Sequence, residues 1–128
     1  MSLLDMVRYQ ANRFFSMTEE ASYHEVGHAV VAKVLGVTDI LIGNSCCTVV
    51  YPDSTEDILT ILVAGVVSEG KDIYHDMGAA DLREARRHGA TDEDLARASD
   101  RARQILEAHQ AEVDELVPKL IARGEIRL

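Results

Sequence analysis

Between Glu56 and Glu69, apolar side chains fall on nearly every side of a helix: Ile58, Leu59, Ile61, Leu62, Val63, Ala64, Val66 and Val67. A helix that is apolar all round has no solvent face, which predicts a central position for this segment. Pro52-Asp53-Ser54-Thr55 supplies the turn before it, Ser54 or Thr55 its cap, and Gly70 its stop. Upstream, Leu4, Val7, Ala11, Phe14 and Phe15 recur at helical spacing, predicting a first helix from Leu4 to Phe15 that ends near Ser16. Thr18 is the expected N-cap of a second helix, with Glu19 and Glu20 in its first turn and Gly36 as its stop after Val34 or Leu35. Ala29, Val30, Val31, Val34 and Leu35 would turn that helix inward.

The pattern changes between Val37 and Tyr51. There Val37, Ile40, Ile42, Thr48, Val49, Val50 and Tyr51 predict two short strands, broken around Gly43-Asn44-Ser45. Downstream of the central helix, Lys71 to Met77 reads as a loop exposing Asp72, His75 and Asp76, followed by a helix from near Ala79 to Gly89. Thr91 or Asp92 caps a long helix through His109, and a final helix spans Gln110 to Arg123. Pro118 lies inside that last segment and either starts a new piece or kinks this one.

Helices arranged around one short extended region predict a mainly α (α+β) fold. With 128 residues, no internal repeat and no low-complexity linker, a single domain over residues 1–128 is expected, residues 1–17 forming its N-terminal helix. The composition, 47% hydrophobic and 27% charged, is that of a globular protein able to bury a core. A formal charge of −9 without a basic patch argues against nucleic acid and anionic membranes as partners. Asp5, Arg8, Gln10, Asn12 and Arg13 interrupt the N-terminal apolar residues, which speaks against a signal peptide or a membrane span. Cys46 and Cys47 are adjacent, a poor spacing for a disulfide or a structural zinc site; they read as two reduced cysteines of a cytoplasmic protein.

The chemistry concentrates in His24-Glu25-Val26-Gly27-His28. On an α-helix, residues i and i+4 lie about 40° apart around the axis and about 6 Å apart along it. Both imidazoles can therefore converge on one tetrahedral Zn²⁺ at about 2.0–2.1 Å. Glu25 then sits beside the metal as a general base without ligating it. Catalytic zinc usually takes three protein ligands and water. A third histidine at the familiar downstream spacing is absent, since Ala29-Val30-Val31-Ala32-Lys33 follows His28. On chemistry alone the third ligand is open among Glu69, Asp72, His75, Asp76, Asp81 and His88.

The stretch Ala21-Ser22-Tyr23-His24-Glu25-Val26-Gly27-His28-Ala29-Val30-Val31 closely resembles the zinc helix of the FtsH-type peptidase domain, the proteolytic half of the membrane-anchored AAA proteases. Ile61-Leu62-Val63-Ala64-Gly65-Val66-Val67-Ser68-Glu69 resembles that family's central helix, and Gly78-Ala79-Ala80-Asp81-Leu82 its segment bearing the ligand aspartate. Arg101-Ala102-Arg103-Gln104-Ile105-Leu106 is similar to the start of its C-terminal helical hairpin, so the likeness covers residues 18–126. It implies a helical zincin-like peptidase domain with His24, His28 and Asp81 as zinc ligands, Glu25 as catalytic base, and hexameric, ATP-fuelled proteolysis. Glu69 is the reserve ligand. The chain departs from the family at Val26, usually alanine, and at Ala80, usually asparagine. Residues 37–55 are shorter than the corresponding family region, which includes the substrate-binding edge strand, and no ATPase module or transmembrane segment is read in these residues.

Two functional expectations follow. The first is a zinc metallopeptidase, a metalloendopeptidase hydrolase without its own unfoldase, acting on peptides, unstructured proteins or substrates delivered by a separate ATPase, and open to homo-oligomerisation. The alternative is a catalytically idle zinc-binding module with a regulatory or protein-interaction role. The intact Glu25 favours the enzyme, because a module without chemistry has no physical need of that carboxylate.

Overall fold

The computed structural model describes residues 11–43 and 46–128. Its backbone is mainly helical, with a small antiparallel sheet. Helix α1 spans Ala11–Val34, strands β1 and β2 span Leu41–Gly43 and Cys47–Thr48, and helix α2 spans Thr55–Ser68. A single 3₁₀ turn, Asp76–Gly78, leads into α3 (Ala79–Arg87), followed by α4 (Asp92–Ala108), α5 (Gln110–Arg123) and β3 (Glu125–Arg127). Among the described residues, no helix is long and apolar enough to cross a membrane.

The break expected between Ser16 and Thr18 does not occur: α1 runs through both positions. Neither glycine nor proline stands there, and serine or threonine inside a helix costs too little to end one. The first ten residues of the expected N-terminal helix lie outside the described residues. Gly36 stops α1 as expected. Its φ is +92°, its N–H donates to Lys33 O and that of Val37 to Ala32 O, the paired bonds of a Schellman turn. Ser54 caps α2 by accepting from Asp57 N–H, and Thr91 caps α4 in a reciprocal capping box with Asp94.

Helix α2 is the central element. Every side chain from Ile58 to Val66 is buried, and α2 packs on both α1 and α4. The approach of α1 depends on Gly27: a Cβ there would lie 2.5 Å from Ser68 Cβ and 2.7 Å from Ala64 O. The C-terminal helices do not form the expected hairpin. Helix α4 lies mainly along α2 and α5 along α1, with little contact between them. His109 alone separates the two, too short a connection for the reversal that usually takes two to five residues. Helix α5 continues through Pro118, so the proline starts no new segment.

The predicted strand pair forms between residues 41 and 48, shorter than the apolar run suggested, with Val49 to Tyr51 outside it. The hairpin gains a third strand that the apolar pattern did not reveal. β3 pairs with β1, placing Ile126 opposite Ile42, while Cys47 of β2 lies opposite Ile42 on the other side. Directly paired residues share a sheet face, so Ile42, Ile126 and Cys47 lie on one face, with β1 and β2 against α1 and β3 against α5. The order β2-β1-β3 leaves β2 as an edge strand beside the middle of α1.

Candidate metal centre

His24 and His28 are both buried on α1, with ring centroids 4.8 Å apart. Each imidazole is held by its Nδ1. That of His28 donates to the Ile61 carbonyl at 2.7 Å, which fixes the hydrogen on Nδ1 because a carbonyl only accepts. That of His24 meets Glu69 Oε2 at 2.6 Å. Both Nε2 atoms are thereby turned into one space, where Asp81 Oδ2 lies 3.0 Å from the first and 3.2 Å from the second.

Three elements build this arrangement, and Gly65 makes room for it. A Cβ on Gly65 would sit 2.5 Å from His24 Nε2 and 2.6 Å from His28 Nε2, so only glycine lets the rings lie against α2. Asp81 comes from the first turn of α3, where the helix field favours a negative charge. Gly78 positions that turn; a side chain there would run within 2.8 Å of Val66 Cγ1.

Electrostatically the centre gathers Glu25, Glu69 and Asp81 around the two imidazoles. Burial by itself would raise the Asp81 carboxyl, but its hydrogen bonds to His24 and His28 outweigh that and hold it well below the usual carboxylate range. Burial lowers the His24 imidazolium, and the bonds to Asp81 and Glu69 more than reverse this, so without metal the ring retains a proton between acids. Burial raises the Glu25 carboxyl, partly countered by the two histidines and reinforced by Asp81 and Glu69. A carboxyl shifted upward is a better proton acceptor than an exposed one.

The donor set fits zinc. The two nitrogens and one carboxylate oxygen all lie within 4.8 Å of one another. Tetrahedral bonds of about 2.0–2.1 Å place donors about 3.3 Å apart, close to the two distances from Asp81. Three such donors leave the fourth position that a catalytic zinc keeps for water or substrate.

The six candidates for third ligand separate clearly. Asp81 joins the histidines, whereas Glu69 lies behind His24 on its other nitrogen. Asp72, His75 and Asp76 are exposed on the loop before α3, and His88 pairs with Glu84 at 3.4 Å. The cleft over the centre measures about 380 Å³ and is also lined by Cys46, Cys47, Val49, Tyr51, Ile61, Leu62 and Ala80. Neither cysteine was expected there. The signal was present in part: register opposite Ile42 turns Cys47 inward, but the pairing itself was not readable from the chain. Burial pushes the Cys47 thiol up to about 12, with the nearby charge of Glu25 adding to it, which makes it a poor nucleophile. Tyr51 stands across the cleft, its ring edge-on to His88 at 5.8 Å. No protein-family model and no curated protein matches the chain, so the FtsH-type resemblance rests on the four segments that carry it.

Proposed function

We propose that this chain is a zinc-dependent metallopeptidase, with His24, His28 and Asp81 holding the metal and Glu25 acting as general base. The observation that carries the reading is the convergence of two imidazoles, each anchored by its Nδ1, and one carboxylate oxygen beside the half-buried Glu25. Zinc bound there supplies Lewis acidity, polarising a scissile carbonyl and acidifying water.

The chain's own residues do the rest. Glu25 accepts the proton of the attacking water on its carboxylate and returns it to the departing amine. Glu69 and the Ile61 carbonyl hold the Nδ1 hydrogens, so neither ring can turn its lone pair away from the centre. Strand β2 lies at the edge of the sheet along the cleft, and an extended peptide can add to it as a further strand. Val49, Ile61 and Leu62 give the cleft an apolar wall for a substrate side chain.

The deciding experiment joins metal analysis of the purified chain to cleavage of a peptide library. About one zinc per chain with cleavage abolished by a chelator is the expected result. Zinc at that stoichiometry with no peptide cut would leave the idle zinc-binding module as the better account.

A further inference from the structure

The Glu69 side chain is only 3% exposed, yet both of its oxygens are engaged. Oε2 faces His24 Nδ1 at 2.6 Å, and Oε1 accepts from Lys71 Nζ at 3.2 Å. The same ammonium lies 3.5 Å from Glu20 Oε2, on the outer side of α1. The backbone brings Lys71 back to this position. Gly70, at φ +78°, reverses the chain after α2, and the Lys71 N–H donates to Val66 O at 2.9 Å, folding residue 71 over the last helical turn.

A line of contacts thus runs inward from Glu20 through Lys71 and Glu69 to His24. A carboxylate held at one oxygen can swivel about that contact. Holding the second oxygen with a cation removes this freedom. The carboxylate plane is fixed, and with it the direction in which His24 Nδ1 is held and Nε2 faces the centre. We infer that Lys71 is a positioning residue for the metal centre, acting through Glu69 on the ring orientation of His24. The inference rests on the metal-site reading above and extends it to a residue that touches neither metal nor substrate.

The test uses the whole chain as wild type, Lys71→Met, Lys71→Gln and Lys71→Arg. Zinc affinity is read by competition with a chromophoric chelator. The ring Nδ1 hydrogen of His24 is read by ¹⁵N-resolved NMR on metal-free protein, and circular dichroism in chelator confirms that each variant is folded. The neutral variants should hold zinc about tenfold less tightly, the lower end of the usual cost of losing an outer-sphere partner. Their Nδ1 hydrogen should exchange too fast to be seen, while Lys71→Arg should restore both properties. An ordinary surface ion pair would change neither. Unaltered zinc affinity with a visible Nδ1 hydrogen in the two neutral variants therefore overturns the inference, and so does tighter zinc binding. Should the wild type take up no zinc, the metal-site reading fails, and the Nδ1 comparison still decides whether Lys71 positions His24.

Discussion

Glu25 and Asp81 are both half-buried acids beside the two histidines, yet in the proposed function they have different tasks, and single substitutions should separate them. Glu25→Gln keeps size and polarity but removes the proton acceptor. Zinc content should stay at the wild-type level while peptide cleavage falls by on the order of 10²-fold or more. Zinc loss in that variant would make Glu25 a ligand, and undiminished turnover would show that it is not the base. Asp81→Ala removes one of three donors and should cost zinc retention heavily during dialysis against a weak chelator. Asp76→Ala and His75→Ala, on the exposed loop, should behave as wild type. Comparable loss from all three substitutions would refute the assignment of Asp81. Gly65→Ala probes the same centre from α2. Its new methyl would press on both Nε2 atoms at about 2.5 Å, so zinc uptake should be lost even where circular dichroism shows the helices intact. Full zinc loading in Gly65→Ala would mean that the rings can retreat from α2, which their Nδ1 anchors oppose.

At the scale of elements, Gly27 tests how closely α1 and α2 must pack. Alanine there gains about 0.8–1.0 kcal/mol of helix propensity. It also drives a methyl against Ala64 O and Ser68 Cβ, and overpacking of that kind costs about 1–3 kcal/mol. The contact is to backbone as well as side chain and cannot be relieved by a rotamer, so Gly27→Ala should lower the urea midpoint. A raised midpoint would show that the helices separate without penalty. The same elements show which parts of the fold the chain discloses. Helix ends were legible because Gly36, Gly70, Ser54 and Thr91 act on neighbouring backbone. The pair His24 and His28 was legible because helical spacing alone puts them on one face. Asp81 was not separable from Asp76 or His75 by local chemistry, since what selects it is the packing of α3 against α2. β3 went unseen for the same reason: three residues with one buried isoleucine carry no strand signal until β1 lies beside them. The apparent break at Ser16 is the reverse case, a local signal that the continuing helix overrides.

For the molecule as a whole, the proposed chemistry consumes only water, and every group it uses lies on α1, α2 and α3 around one cleft. Peptide hydrolysis by this chain should therefore proceed without ATP. Access is the harder requirement. A cleft of about 380 Å³ admits an extended segment and not a folded domain, so a scissile bond inside a stable protein is reached only when that protein opens. Opening is opposed by about 5–15 kcal/mol in an ordinary domain, which leaves roughly one molecule in 10³ or fewer available at any moment. The same recognised peptide should thus be cut freely in isolation and at least about 10³-fold more slowly when embedded in a stable folded host, with or without ATP. Destabilising the host by a core substitution should restore cleavage in proportion to the population that opens. Rapid digestion of the intact host by the purified chain would overturn this account. Digestion that appears only when cell extract and ATP are added would identify an unfolding partner acting in trans.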